Sequence, residues 1–291
     1  MKVILILLIF CLVLFFYLHI YSQLKTSNEL EVYEIEHPSK ERLEEICELK
    51  QPVIFTYDTD KLCMPMSTLQ STYNAFDVKI RNVKYMSNND EIDLYIPIAL
   101  NKAIDVMNAD KESKYFSEKN SDFLKESGLI KKLKYNDMLL RPYMVSNCIY
   151  DYLIATKGTQ TPFRYELNYR NYFLVNEGEI KIKLAPPKSV KYLSSIKDYE
   201  YFEFRSPINP WDIQLQYKPD FDKIKCLEIV LKKGQLFYLP PYWWYSIEFS
   251  STIVTSICSF KYRTFMNTVA IIDKLIIQFL QLQNIKRKKK V

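Results

Sequence analysis

The chain begins with an apolar run that is too long and too uniform to belong to a small globular core. Val3 to Leu18 is sixteen residues without a strongly polar side chain, and the run reaches Tyr21 when His19 is counted as interfacial. A membrane span needs about 20 apolar residues, whereas a signal-peptide core has about 7–15. Bulky aromatics at 15–17 and the lack of a small-x-small cleavage site favour an uncleaved anchor over a cleaved signal. We therefore expect residues 3–21 to contact membrane lipid.

The charges on either side of this run favour one orientation. Lys2 and the amino terminus precede it. After it comes a single lysine, Lys25, and then a group of glutamates, Glu29, Glu31, Glu34 and Glu36. The positive-inside rule then places the short N-terminus in the cytoplasm and the rest of the chain on the non-cytoplasmic side of a membrane.

The formal charge of +6 comes almost entirely from the C-terminus, where the basic residues 286–290 supply five positive charges. The rest of the chain is close to neutral, which argues against a basic footprint for nucleic acid, and we expect no specific nucleic-acid binding. Hydrophobic residues make up 48% of the sequence, enough for a sizeable folded core.

The sequence divides into four parts. Residues 1–22 form the transmembrane anchor, and 23–50 form a stalk with a short helix over Glu41–Lys50. Residues 51–262 form the main domain, with helices expected at Ile98–Met107 and Ser117–Ser127. Residues 263–291 form an amphipathic helix and a basic tail.

The second half of the main domain reads as β-structure. Tyr172 to Val175 and the alternating Ile180 to Leu184 flank Gly178, which predicts a β-hairpin with one wet face. Leu227–Leu231 and Leu236–Leu239 flank Gly234 and predict a second hairpin. Short strands separated by turn residues indicate a sandwich or barrel.

An apolar stripe marks the C-terminal helix. Its residues recur at spacings of four and three, which places them on one helical face: Phe265, Val269, Ile272, Ile276 and Phe279. Two interpretations remain open at this point. The helix packs on its own domain, or it forms a homodimer through this face.

Two segments carry more specific information. The first starts at Gly158, contains Arg164, Glu166 and Asn171-Tyr-Phe, and ends at Pro186-Pro187. The second is Leu231-Lys-Lys-Gly234-Gln-Leu-Phe-Tyr-Leu-Pro240-Pro-Tyr-Trp243-Trp244-Tyr245.

Together these segments resemble the cupin-like, JmjC-type branch of the Fe(II)/2-oxoglutarate oxygenases. In that family the first segment has His-x-Asp six residues after its glycine, and the second ends in Trp-Trp-His. The resemblance implies a mainly β fold with flanking helices, a double-stranded β-helix or jelly-roll barrel, here preceded by one transmembrane helix. It also implies an iron held by two histidines and a carboxylate.

This sequence departs from the family pattern where the metal would be held. The first histidine position is Arg164, the carboxylate position is Glu166 and the second histidine position is Tyr245. The two histidines of the chain, His19 and His37, lie in the anchor and the stalk. A guanidinium is always cationic and offers no lone pair, so it repels a metal ion. We expect no metal, no cofactor and no catalytic residues, and we expect Arg164 and Glu166 to form an ion pair near Tyr245.

The cosubstrate lysine of the family falls at Ile180, and the adjacent Lys181 points to the opposite strand face. The same two segments offer further pocket candidates, namely Thr161, Asn171, Lys181, Trp243 and Trp244. The tryptophans are equally well explained as core aromatics.

Three functions follow from these residues. The first is a membrane-anchored, degenerate cupin-like domain acting as a non-catalytic structural or binding module. The second is a 2-oxoglutarate hydroxylase with an aberrant metal site, or a cupin enzyme that uses Arg164, Glu166 and Tyr245 for metal-free acid–base chemistry. The third is an interaction protein whose active part is the C-terminal helix and tail. The composition is also similar in style to membrane proteins of large DNA viruses.

Overall fold

The computed structural model describes residues 2–58, 62, 64–84, 95–251 and 254–288, without the side chains of 285–288. The N-terminal helix α1, Lys2–Leu24, is apolar and long enough to cross a membrane, and its most apolar window has no buried residue. His19 lies in this helix and His37 in the bend before α2, Lys40–Glu48. Ser39 caps α2 by accepting a hydrogen bond from the Arg42 backbone N–H at 3.2 Å.

Seven more α-helices are described beyond α2. They are α3 Met66–Thr72, α4 Leu100–Ala109, α5 Ser121–Glu126, α6 Leu129–Asn136, α7 Lys218–Phe221, α8 Phe265–Ala270 and α9 Ile272–Lys288. The expected stalk helix and the expected helix at 98–107 correspond to α2 and α4. The helix expected at 117–127 is shorter, because residue 117 ends a strand and the helix begins only at Ser121.

Fifteen strands form two sheets in the described part of the chain. They are β1 Tyr33–Ile35, β2 Val53–Thr56, β3 Asp77–Asn82, β4 Ile96–Ala99, β5 Tyr115–Ser117, β6 Val145–Ala155, β7 Arg164–Tyr165, β8 Arg170–Glu177, β9 Glu179–Ala185, β10 Ile196–Asp198, β11 Glu203–Arg205, β12 Leu227–Lys232, β13 Gln235–Leu239, β14 Trp244–Phe249 and β15 Thr255–Thr264. The large sheet has the order β1-β2-β13-β8-β15-β6-β5-β3-β4, and the small sheet has β10-β11-β7-β14-β9-β12.

The strands on either side of Gly178, and those on either side of Gly234, lie in different sheets, and this corrects both predicted hairpins. β8 pairs with β13 and β15 in the large sheet, whereas β9 pairs with β12 and β14 in the small one. The turn at Gly178 is therefore a corner between sheets, and Gly234 between β12 and β13 is another. Gly178 has φ of +85°, and a Cβ there would lie 2.3 Å from Thr255 Oγ1. Only glycine fits this corner without strain.

The residue pattern explains the two layers of packing. Alternate side chains of the large sheet, such as Tyr152, Tyr172 and Phe260, pack outward against α2, α3 and α4. The intervening side chains, such as Leu153, Phe173 and Ile257, face the small sheet and form a second core. The fold is mainly β with two large sheets and flanking helices, as the sequence predicts.

The C-terminal stripe is divided between two helices instead of one. Helix α8 ends at Ala270, and the buried Ile271 separates it from α9. The five stripe residues are exposed, from 36% at Val269 to 60% at Phe279, so this face does not pack on its own domain. Helix α8 also contacts α1, which brings the domain close to the apolar N-terminal helix.

Candidate functional site

The interior between the two sheets changes character along the strands. On β6 and β15, Leu153 and Ile257 lie opposite each other and face the apolar core. Further along the same face, Lys261 lies opposite Ile149 and Arg263 opposite Asn147. Because side chains alternate along a strand, these charged residues project from the same face as the apolar ones. We call the two parts of the interior the apolar end and the charged end.

The charged end contains a cavity of about 500 Å³. Its floor comes from β6 and β15, and its opposite wall comes from β7, β11 and the segments beside them. The lining residues include ten charged side chains, namely Lys79, Glu118, Lys119, Asp151, Arg164, Glu166, Glu203, Arg205, Lys261 and Arg263.

Arg164, at the start of β7, is almost completely buried and is held by a carboxylate from another part of the chain. Its Nη1 donates to Glu118 Oε2 at 2.5 Å, and its guanidinium lies 5.2 Å from the Tyr245 ring centroid and 5.6 Å from that of Phe116. Burial alone lowers the pKa of Arg164, but the Glu118 carboxylate overcomes this effect and raises it well above the usual value. The arginine is therefore a fixed cation.

Glu118 belongs to a larger buried network. Its Oε1 accepts a hydrogen bond from Arg81 Nη1 at 2.8 Å, and the same guanidinium nitrogen contacts Glu203 Oε1 at 3.0 Å. Lys119 Nζ lies 2.8 Å from Glu203 Oε1, and Tyr95 donates its hydroxyl hydrogen to the same oxygen at 2.7 Å. Burial by itself raises the pKa of Glu203, but Arg81 and Lys119 outweigh it and hold this pKa well below its usual range.

Glu166 and Tyr245 form a second polar group. The Tyr245 hydroxyl donates to Glu166 Oε1 at 3.0 Å, and Lys261 Nζ donates to the same oxygen at 2.6 Å. Asn168 Nδ2 donates to Glu166 Oε2 at 3.3 Å. Burial raises the pKa of the Tyr245 phenol well above its usual value, and the nearby Glu166 adds to this shift. Tyr245 is therefore a neutral hydrogen-bond donor at physiological pH.

These contacts correct the expected Arg164–Glu166 ion pair. Arg164 pairs with Glu118 instead, and Glu166 pairs with Lys261. The reason is geometric: β7 contains only residues 164 and 165, so Glu166 lies beyond the strand end and turns toward β15. Tyr245 lies beside both residues, because its hydroxyl donates to Glu166 and its ring centroid lies 5.2 Å from the Arg164 guanidinium.

A family model described as a cupin-like domain matches residues 38–267, which is most of the chain. The chain belongs to the cupin-like domain family. HSPB1-associated protein 1 from Rattus norvegicus is 27% identical to this cupin-like chain over 107 residues, and the protein of the same name from Homo sapiens matches to the same extent. The matched region is 36% of this chain and 22% of each relative. The chain thus spans about a fifth of the length of the curated relatives that it matches.

The residues of this cupin-like site do not fit the iron that the family resemblance implies. Arg164 offers no lone pair, and the Glu166 carboxylate is already bound by the Lys261 ammonium. Among the described residues there is no group of three or more His, Cys, Asp or Glu side chains that could hold a metal ion. The position of the family's cosubstrate lysine is Ile180, whose side chain is fully buried in the apolar core.

The five further pocket candidates lie outside the cavity lining. Thr161 is buried and accepts a hydrogen bond from the Ile247 backbone N–H at 2.9 Å, and Asn171 bonds the carbonyl oxygens of Asn168 and Leu239. Lys181 lies on the outer face of β9, 3.7 Å from Glu248. Trp243 is buried in the apolar core, and Trp244 packs with its ring centroid 4.7 Å from that of Tyr165.

Sequence reasoning missed the partners that define the charged end. Glu118, Glu203 and Arg81 lie in regions without a recognisable motif, so their convergence has no local signal. Lys261 and Arg263 do carry a local signal, because they alternate with buried residues at the end of a strand that is otherwise buried. Charged side chains on the inner face of a barrel strand are uncommon, and this pattern could have drawn attention to β15.

Proposed function

We propose that the protein is a membrane-anchored cupin-like domain that acts as a non-catalytic binding or structural module. The observation that carries this proposal is the ion pair between Arg164 and Glu118 at the first family ligand position. A fixed cation now occupies the place where the family would bind metal, and it is held by a buried carboxylate. The name of the matched relatives records an association with another protein, which agrees with a binding role.

The alternative enzymatic roles have weaker support. A hydroxylase needs ligands that Arg164 and Tyr245 do not supply. Metal-free proton transfer through Tyr245 and Glu166 would require groups that titrate near neutral pH. The raised pKa of Tyr245 places its phenol far from that range, and the Lys261 ammonium occupies an oxygen of the Glu166 carboxylate.

Metal analysis and turnover of the purified full-length protein in detergent test this proposal. We expect less than stoichiometric iron and no succinate formation from 2-oxoglutarate. Glu166→Gln is the matched control, because it removes the one family ligand that the chain retains while preserving its shape. Stoichiometric iron that is lost in Glu166→Gln, together with succinate production by the parent protein, would overturn a non-catalytic function.

We further propose that residues 3–21 contact lipid and that the domain lies on the non-cytoplasmic side. The charge distribution around α1 supports this orientation. Cys258 in β15 is disulfide-bonded, and disulfides persist mainly in oxidising compartments.

An N-glycosylation sequon introduced into the exposed loop after α6 would be modified if this topology is right. If the sequon is not modified and the domain is cleaved by protease added from the cytoplasmic side, the topology is the opposite of the one proposed. Retention of an N-terminal tag distinguishes an anchor from a cleaved signal.

A homodimer through the exposed stripe is a second proposal. Ile272, Ile276 and Phe279 lie on one face of α9 at helical spacing, and this face lacks a partner within the described domain. Ile276→Asp should abolish cross-linked dimers of the full-length protein in detergent. The matched control is Gln281→Asp, on the opposite face of the same helix. Equal cross-linking of both variants, or dimers in neither the parent nor the control, would remove this role.

A further inference from the structure

We propose that the charged end of the barrel binds a small oxyanion, a carboxylate or a phosphate group, with Arg263 as its principal contact. This inference deepens the binding role proposed above and rests on it. It concerns the cavity between β15 and β11 and uses none of the former metal-ligand positions as a primary contact.

The cavity lining is rich in charged side chains. Six cationic side chains face four carboxylates around the cavity. Five of the cations lie within 4 Å of a carboxylate oxygen, in the pairs Lys79–Asp122, Lys119–Glu203, Arg164–Glu118, Arg205–Asp198 and Lys261–Glu166. Within the described residues, Arg263 is the lining cation that has no such partner. The positive charge of Arg263 is therefore not neutralised by a direct ion pair with a described carboxylate.

Two contacts hold the Arg263 side chain in place. Its Nε donates to Asn168 Oδ1 at 2.7 Å, and its guanidinium carbon lies 5.0 Å from the Phe202 ring centroid. These two contacts fix the plane of the guanidinium. Arg263 lines the cavity, and no described residue accepts a hydrogen bond from either of its Nη atoms. A planar two-pronged donor of this kind matches the two oxygens of a carboxylate or phosphate.

The electrostatic environment agrees with this geometry. Burial lowers the pKa of Arg263, and Glu166 opposes that shift only in part. A partly desolvated cation without a full counter-charge is a site where an added anion gains free energy. Lys261 lies two residues earlier on the same strand face, and Asn147 lies opposite Arg263 in register, so both can add donors to a bound anion.

The size of the cavity limits the ligand. Binding sites for small molecules are typically about 300–1,000 Å³, and about 500 Å³ is available here. The cavity wall also contains the apolar rings of Phe202, Phe204 and Tyr165. A ligand that carries a carboxylate or phosphate group on a short carbon skeleton can pair with Arg263 and contact these rings.

Calorimetric titration of the full-length protein in detergent, with inorganic phosphate and with malonate as separate probes, tests the inference. We expect saturable binding of at least one probe and a loss of affinity of about tenfold or more in Arg263→Gln. Arg42→Gln is the matched control, because Arg42 is an exposed arginine on α2 and is not among the residues that line the cavity. Its affinity should equal that of the parent protein. Arg263→Lys keeps the positive charge but loses the planar pair of terminal N–H donors, so it should weaken binding less than Arg263→Gln does.

Binding of phosphate alone or of malonate alone supports the site and identifies its oxyanion. Binding of neither probe, or equal affinity in the parent and Arg263→Gln, overturns the inference. If Arg263→Gln does not fold, as judged by circular dichroism, Arg263→Lys with parental affinity overturns it equally. The titrations are made on chelator-treated protein, so that anion binding is measured independently of the metal assay. Stoichiometric bound iron would refute the non-catalytic function, but Arg263-dependent anion binding would still be measurable.

Discussion

The two ends of the barrel interior are built from the same strands but are filled by different kinds of side chain. At the apolar end, residues such as Phe173, Phe237 and Ile247 close the space between the sheets with hydrophobic contacts. At the charged end, the same strand faces carry Lys261 and Arg263 and leave a cavity of about 500 Å³. The apolar end can be understood from stability alone, whereas the charged end cannot.

The two ends differ in what burial of their side chains contributes to stability. Burying apolar surface stabilises the fold wherever it occurs, at about 25 cal/mol per Å². Burying charges such as Arg164 and Glu118 is costly, and a well-packed apolar replacement is often at least as stable. An interior charge network therefore implies a requirement other than folding. We infer that binding supplies this requirement, and the following predictions test the contrast between the two ends.

The largest effect is expected from breaking the buried network. Glu118→Gln removes the carboxylate shared by Arg81 and Arg164. Because both guanidiniums are buried, we expect a loss of about 3–5 kcal/mol in the free energy of unfolding. Urea denaturation monitored by circular dichroism measures it. Glu45→Gln breaks an exposed pair with Arg42 and should cost about 0–0.5 kcal/mol. Similar costs for the two variants would mean that the network is not energetically coupled.

Acid should destabilise the charged end selectively. The pKa values of Glu118 and Glu203 are lower in the folded protein than the usual 4.5, because Arg164, Arg81 and Lys119 outweigh the effect of burial. Their stabilising contribution is thus complete above pH 4.5 and is lost as the pH falls toward their folded pKa values. The slope is about 1.4 kcal/mol per pH unit for each proton taken up on unfolding.

Asp151 acts in the opposite sense in the same experiment. Burial raises its pKa above 3.8, so its protonation stabilises the folded state as the pH falls through a window above 3.8. Thermal unfolding of the parent protein and of Glu203→Gln between pH 7 and pH 3 separates these contributions. The variant should lose less stability below pH 4.5 than the parent. Parallel curves for the two proteins would contradict the depressed pKa of Glu203.

The apolar end should respond to volume and not to pH. Ile247→Val deletes one buried methylene between the sheets and should cost about 0.5–1.5 kcal/mol at every pH tested. Ile96→Val, at a position on β4 that is 56% exposed, is the matched control and should cost less than about 0.5 kcal/mol. A pH-dependent cost for Ile247→Val would mean that the two ends of the interior are not independent.

The sequence predicts the apolar end well and the charged end poorly, for a physical reason. Glycines, prolines and tryptophans at fixed spacings specify corners and core, so Gly178, Gly234 and Trp243 indicate the barrel. The contacts at the charged end join residues far apart in the chain, such as Arg164 with Glu118 and Arg81 with Glu203, which are 46 and 122 positions apart. Their meeting depends on the register of several strands, which no local pattern encodes. The predicted hairpins were wrong for a related reason, since a turn residue does not specify which sheet its flanking strands join.

The smallest effect is expected from the residue beside the family's cosubstrate position. Lys181 lies on the outer face of β9, with a side chain that is 38% exposed and a loose contact of 3.7 Å to Glu248. Lys181→Gln should therefore change the free energy of unfolding by about 0–0.5 kcal/mol. It should also leave phosphate and malonate affinity unchanged, unlike Arg263→Gln, because its side chain projects away from the interior. A measurable loss of anion affinity in Lys181→Gln would place this strand in a shifted register, with Lys181 facing inward, and the division of the interior into an apolar and a charged end would then fail at β9.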